Sequence, residues 1–174
     1  CYLCKKYMFT KVKELAHSLS VSTILEGTNA DDLKQYRPGI KAIQELGLHS
    51  PLLEANMTKK EIRELASTYD LKAANKPSSP CLATRFPYHT LLNYEEMRKV
   101  EKIEDYLHTC GFYNVRARIH NDLVRLEIDQ DAFMKCMDYR QEIVLFIKEL
   151  GYDYVTLDLE GFRSGSQDIK LEEK

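Results

Sequence analysis

Three prolines, Pro77, Pro80 and Pro87, and the pair Ser78-Ser79 crowd into one short stretch, KPSSPCLATRFP. A proline fixes φ and removes a backbone donor, so no regular helix runs through residues 73–90. The stretch divides the chain into two patterns of different periodicity, and the junction is placed there, with units over residues 1–76 and 77–174.

Before the break, Met8, Phe9, Val12, Leu15, Ala16 and Leu19 recur at helical spacing within 5–19. Val21–Leu25, VSTIL, is β-branched and reads as a buried strand. EGTNADD and a Pro38-Gly39 break lead to a short helix over Ile40–Leu46, and Ser50–Glu54 reads as another strand. Thr58 with Glu61 forms a capping-box pattern ahead of Ile62, Leu65, Ala66 and Tyr69. Helix and strand alternating in this way predict an α/β unit with a parallel sheet.

After the break, a helix is expected over Tyr94–Cys110, closed by Gly111. Val115–Ile119 and Leu123–Ile128 alternate as strands, and Asn121-Asp122 between them is a hairpin turn. A helix over Asp131–Leu150, stopped by Gly151, and a strand over Tyr154–Leu159 complete an αββαβ, α+β unit. The polar tail after Gly165 is expected to fray.

Lys and Arg total 25 and Asp and Glu 27, a net charge of −2, which argues against bulk binding of nucleic acid. No apolar run approaches the ~20 residues of a membrane span. Five cysteines in a charged, helix-rich chain do not form a secreted disulfide framework, so a reducing, cytosolic setting is expected. The chain opens on Cys1 rather than Met and enters a helix at once, which reads as the second part of a longer protein.

Four constellations could carry chemistry. Cys1-x-x-Cys4 and the distant Cys81 give three thiolates without a fourth partner, an open coordination position. Plainer readings are a zinc half-site, a redox CxxC or buried thiols; Cys110 and Cys136 read as core thiols on helices. Gly27, Thr28, Asn29, Asp31 and Asp32 follow a predicted strand, where nucleotides and Mg²⁺ bind in open α/β sheets, although an ordinary capped loop has the same look. On the hairpin, Arg116, Arg118 and His120 share one face, and the turn sets Arg118 opposite Arg125 and Arg116 opposite Glu127. Like charges directly opposed are destabilising, so this face reads either as an anion site or as a solvated surface. Arg85, four residues after Cys81, could lower the thiol pKa or hold a phosphate, or make a surface salt bridge.

EGTNADDLKQYRPG, SPLLEA, the TKKEIRELA helix, KPSSPCLATRFPY, VRARIH with VRLEI, and GFRSGS together resemble the LarE-type pyridinium-3,5-biscarboxylic acid mononucleotide sulfurtransferases, in the PP-loop ATP pyrophosphatase superfamily. The likeness runs in order over nearly the whole chain. It implies a partial Rossmann-like PP-loop domain (residues 1–76) followed by an α+β sulfur-transfer and oligomerisation domain (77–174). It also implies a cytoplasmic enzyme of nickel-pincer nucleotide cofactor biosynthesis, assembled as a trimer or hexamer. ATP and Mg²⁺, held at Gly27–Asp32, activate a pyridinium carboxylate as an acyl-adenylate, and sulfur then displaces AMP to leave a thiocarboxylate. One branch gives up the sulfur of a single cysteine at the position of Cys81; another holds a [4Fe-4S] cluster on three. With Cys1, Cys4 and Cys81 present, this chain resembles the cluster branch, and Arg85, Arg116 and Arg118 become candidates for the substrate phosphate. The family's SGG-x-D-S phosphate loop is absent from these 174 residues, so the chain by itself is not expected to adenylate. The sulfur donor is not readable. The competing readings are a PP-loop tRNA thiolation enzyme and a non-catalytic phosphate-binding, oligomerising module.

Overall fold

The computed structural model describes residues 1–163 and Ser166, and it separates into two compact units, Cys1–Lys76 and Pro77–Lys174. The polar tail lies outside the described residues except for Ser166.

The first unit is helical. Helix α1 spans Tyr2–Ser18, α2 Gly39–Leu46, α3 Pro51–Glu54 and α4 Lys59–Thr68. The capping box at α4 forms: the Thr58 hydroxyl accepts from Glu61 N–H, and Glu61 accepts from Thr58 N–H at 2.8 Å. The two expected strands do not form. Val21–Leu25 makes one parallel bridge, Leu25 to His49, and Val21 and Leu25 are 50% and 61% exposed. Ser50–Glu54 turns into α3, because Pro51 at its first position fixes a helical φ. A β-branched run becomes a strand only where neighbours pair with it and cover it. Ala42, Ile43 and Ala74 are the buried apolar residues among the described part of this unit, and α1 buries none of its 17 residues.

The second unit has the larger core. Helix α5 (Tyr94–Thr109) packs Val100, Ile103 and Leu107 against a sheet whose inward face is Val115, Ala117, Ile119, Val124, Leu126 and Ile128. Strands β1 (Val115–His120) and β2 (Leu123–Ile128) are antiparallel, and β3 (Tyr154–Leu157) lies parallel to β2, giving the order β1-β2-β3. The register is the one the turn predicts: His120 faces Leu123, Arg118 faces Arg125, and Arg116 faces Glu127. Asn121 takes φ 58°, the left-handed conformation a two-residue hairpin loop needs.

The long helix expected over Asp131–Leu150 is instead two, α6 (Phe133–Asp138) and α7 (Arg140–Glu149). Tyr139, at ψ 8°, interrupts them and sets its ring edge-on to Phe112 at 6.5 Å. The proline stretch is also less irregular than expected, since short 3-10 turns form at Lys72–Asn75 and Leu82–Arg85. Such turns need only local i to i+3 bonds, so they fit between prolines. No helix among the described residues is long and apolar enough to cross a membrane.

Candidate functional site

The hairpin face is not a solvated surface. Arg116 and Arg118 are each 5% exposed, and Glu127, between Arg118 and Arg125, is completely buried. Glu127 accepts from Arg118 at 3.0 Å and from Arg125 at 3.1 Å, and Ser166 Oγ lies 2.9 and 3.1 Å from its two oxygens. The opposed arginines are therefore neutralised from within the sheet. Arg125 also pairs with Asp158 at 3.5 Å, and Asp158 with Arg163 at 3.4 Å, extending a charge-alternating ladder past β3.

Three buried guanidinium groups hold the loop that carries Cys81. Arg116 donates to the Ser78 carbonyl at 2.7 Å, and Arg118 to the Thr84 carbonyl at 2.6 Å. Arg85 donates to the Pro80 and Cys81 carbonyls at 3.3 and 3.4 Å. Arg85 is not a surface residue. It forms a two-point pair with Glu104, at 2.7 and 2.8 Å. Glu104 also accepts the N–H of Ala117 on the outer edge of β1 at 2.9 Å. Reasoning from sequence missed Glu104. The signal was there, because it occupies the apolar stripe of α5 formed by Val100, Ile103 and Leu107. A carboxylate in that stripe must have a buried partner.

Arg116 is the cation left over. Among the described residues no carboxylate lies within ion-pair distance of it; its guanidinium bonds the Val115 and Ser78 carbonyls and stacks over the Phe162 ring, 4.9 Å from the centroid. Burial, with the charges of Arg85 and Arg118, pulls its pKa below the usual arginine value, against Glu104 and Glu127. Three ring or guanidinium nitrogens on this face, Arg118 Nε, His120 Nε2 and Arg125 Nε, are buried without a hydrogen-bond partner among the described residues, as is Arg163 Nε beyond β3. Buried donors left unpaired cost free energy, so an acceptor on this face would be welcome.

Cys1, Cys4 and Cys81 are exposed and free, Cys110 is partly buried, and Cys136 is buried in the core, where desolvation raises its pKa. Cys1 is the N-cap of α1 with Cys4 in its first turn, and Cys81 is the N-cap of the Leu82–Arg85 turn. Cys1 and Cys4 lie in the first unit and Cys81 in the second. Within neither unit do three or more Cys, His, Asp or Glu side chains among the described residues come together as a metal site.

The Gly27–Asp32 segment is a capped turn. Asn29 and Asp32 form a capping box over Ala30–Lys34. Asp31 accepts the Lys59 N–H and the Lys34 ammonium, both at 2.9 Å, which together lower its pKa. Asp32 pairs with Arg37 at 2.9 Å. Thr28 is buried on Glu26, whose carboxylate also holds the Ser50 hydroxyl. Gly27 has open space where a Cβ would stand.

No family model matches the chain. Similarity to individual proteins is extensive. Over 170 residues, 98% of its length, the chain is 37% identical to the pyridinium-3,5-bisthiocarboxylic acid mononucleotide synthase of Lactiplantibacillus plantarum, and it spans 62% of that protein. Over 167 residues, 95% of its length, it is 37% identical to an uncharacterized protein of Synechocystis, again spanning 62% of the relative. An uncharacterized protein of Methanocaldococcus jannaschii is 32% identical over 164 residues, 94% of this chain and 64% of that protein. The chain thus spans somewhat under two thirds of the length of the curated relatives it matches.

Proposed function

We propose that this chain belongs to the LarE-type sulfurtransferases and serves an ATP-dependent conversion of pyridinium carboxylates of a mononucleotide to thiocarboxylates, in nickel-pincer cofactor biosynthesis. The observation that carries the reading is the 37% identity to a pyridinium-3,5-bisthiocarboxylic acid mononucleotide synthase over 98% of the chain. It favours this reading over tRNA thiolation and over a non-catalytic module.

The residues support a division of labour. Arg116, buried without a carboxylate partner among the described residues, is suited to the substrate phosphate, with Arg118 and Arg85 beside it. These same arginines fix the backbone on both sides of Cys81, so an anion held by them lies near a positioned thiol. Cys1, Cys4 and Cys81 are exposed and free, so they are accessible as ligands. A [4Fe-4S] cluster on these three thiolates, when bound, would supply the sulfur that replaces a carboxylate oxygen. Gly27, with open space beside its backbone, is suited to a nucleotide, with Thr28, Asn29, Asp31 and Asp32 around it and Mg²⁺ as counter-ion.

The test uses a protein in which this chain is joined to an SGG-x-D-S segment, handled anaerobically. ATP-dependent formation of the thiocarboxylate, lost in Cys81→Ala while pyrophosphate release persists, is the expected result. Sulfur transfer undiminished in Cys81→Ala would overturn the assignment, and pyrophosphate release by the 174-residue chain alone would overturn the division of the ATP site.

A further inference from the structure

The charged face of the second unit's sheet contains one group whose role the reading above does not use. His120 shares that face with Arg118, two residues before it on β1, and with Arg125, which stands directly across from Arg118 on β2. His120 Nε2, Arg118 Nε and Arg125 Nε are all buried and all lack a hydrogen-bond partner among the described residues. Three unpartnered nitrogens on two neighbouring rows of one sheet face are an unusual concentration of unmet demand, because buried donors nearly always find an acceptor. The Nη atoms of both guanidinium groups already have partners. Arg118 spends its Nη atoms on Thr84, Glu127 and Ser166, and Arg125 on Glu127 and Asp158.

We propose that His120 completes, with Arg118 and Arg125, a cradle for a phosphate monoester dianion, and that it takes up a proton from solvent when the dianion binds. This rests on the reading above, which places the substrate phosphate on the arginine face, and adds to it a proton-responsive residue that sets the charge state the site accepts. The surroundings of His120 disfavour imidazolium: burial, then Arg125 and Arg118, hold its pKa below the ordinary value, and Glu127 only partly opposes them. Asp158 is screened from His120 by Arg125, which it pairs. Tyr154 lies in the same row of the sheet but two strands away, beyond Leu123. A dianion against the three nitrogens reverses the balance, since an opposite charge at contact favours the protonated ring. His120 then donates a charge-assisted bond, and the bound state holds one proton more than the free state. Histidine is suited to this because its charge changes near neutral pH, whereas the arginines stay charged throughout.

The experiment titrates the 174-residue chain with ribose 5-phosphate and, separately, with inorganic phosphate. The five histidine rings are followed by NMR, and the His120 signal is assigned by its loss in His120→Gln. Calorimetry in two buffers of different ionisation enthalpy counts protons. Saturation is expected to raise the apparent His120 pKa by about one unit or more. Near pH 7 binding should take up as much as about one proton more per ligand in the unmodified chain than in His120→Gln, a difference in which protons released by the ligand's own monoanion cancel. Arg125→Gln should weaken binding about tenfold or more, the loss of one charge-assisted bond. Response to the monoester alone would place the ligand's sugar in the site, and response to both would place the phosphate by itself there; either supports the cradle. Binding with an unmoved His120 signal, or proton uptake undiminished in His120→Gln, overturns the proposal and leaves the sulfurtransferase reading intact. Absence of binding by either ligand also overturns it, and the sulfurtransferase reading then stands or falls on thiocarboxylate formation.

Discussion

Arg85 and Glu104 form a buried two-point ion pair, at 2.7 and 2.8 Å, that joins the Cys81 loop to helix α5. The same carboxylate accepts the Ala117 N–H at 2.9 Å, so it also closes the free edge of β1. An open edge invites pairing with another chain, and here a side chain supplies the acceptor that a neighbouring strand would otherwise provide. The loop, the helix and the sheet edge thus share one acceptor group.

Glu104→Ala should therefore be among the most damaging single substitutions in the second unit. It leaves a buried guanidinium without its counter-ion and a buried N–H without an acceptor. Breaking a buried pair from one side costs about 3–5 kcal/mol. A urea denaturation midpoint reports it, and a loss below about 1 kcal/mol, the range of a surface pair, would show that water reaches this pair freely.

Arg118→Ala should also destabilise. The opposition of Arg118 to Arg125 suggests from sequence that removing one charge relieves repulsion. Glu127 reverses that expectation, because it lies between the two and is completely buried. Truncation frees Glu127 from one partner and releases the Thr84 carbonyl, so a loss of about 3–5 kcal/mol is expected. Arg118→Lys should recover little, since one ammonium cannot reproduce the planar fork that spans Glu127 and Thr84. A melting temperature unchanged or raised in Arg118→Ala would restore the repulsion argument.

The hairpin was legible because its information is local: alternation sets the faces, and Asn121-Asp122 sets the register. That the charged face is buried was not legible. Ser78, Thr84 and Phe162, which cover it, are far from β1 in sequence, and only folding brings them there. In the first unit the failure is of another kind. Ile24 and its neighbours have the composition of a strand, but a strand is defined by its pairing, and Leu25 to His49 is the only bridge it makes among the described residues. The break at Tyr139 was hidden because apolar spacing continues through it from Cys136 to Ile143 and Ile147. Of the candidate site, the cysteines and arginines were visible as residue types. Their partners were not, except for Glu127, which the register places directly opposite Arg116.

Gly161→Ala should cost about 1–3 kcal/mol. Gly161 takes φ 72° in the turn after β3, and an added Cβ would stand 2.9 Å from the Ile128 carbonyl oxygen, a backbone atom that cannot swing aside. The same turn returns the Phe162 N–H to Ile128 O at 2.8 Å and so seats the Phe162 ring over Arg116. The substitution should therefore weaken both folding and any anion affinity of Arg116. Equilibrium unfolding together with a phosphate titration separates this from a purely local strain, which would leave the titration unchanged.

Mild acid should destabilise the second unit through His120. Its pKa in the folded chain lies below the ordinary value of 6.5, chiefly through burial and then through Arg125 and Arg118. Between the folded and unfolded values the unfolded chain binds more protons, so stability rises with pH across that window. The contribution is fully present above about pH 6.5, the unfolded value, and is lost as pH falls from there toward the lower folded value. Carboxylates held below their ordinary range, such as Glu96 beside Lys99 and Tyr152, lose their contribution at more acidic pH, as it falls through their own folded values. Denaturation midpoints measured from pH 8 to pH 5 should decline for the unmodified chain and flatten over the upper part of that range in His120→Gln. Identical slopes in the two proteins would mean that the ring is as free to protonate in the folded chain as in the unfolded one. If the bound anion stabilises the charged ring, the chain saturated with ribose 5-phosphate should lose less stability on acidification than the free chain.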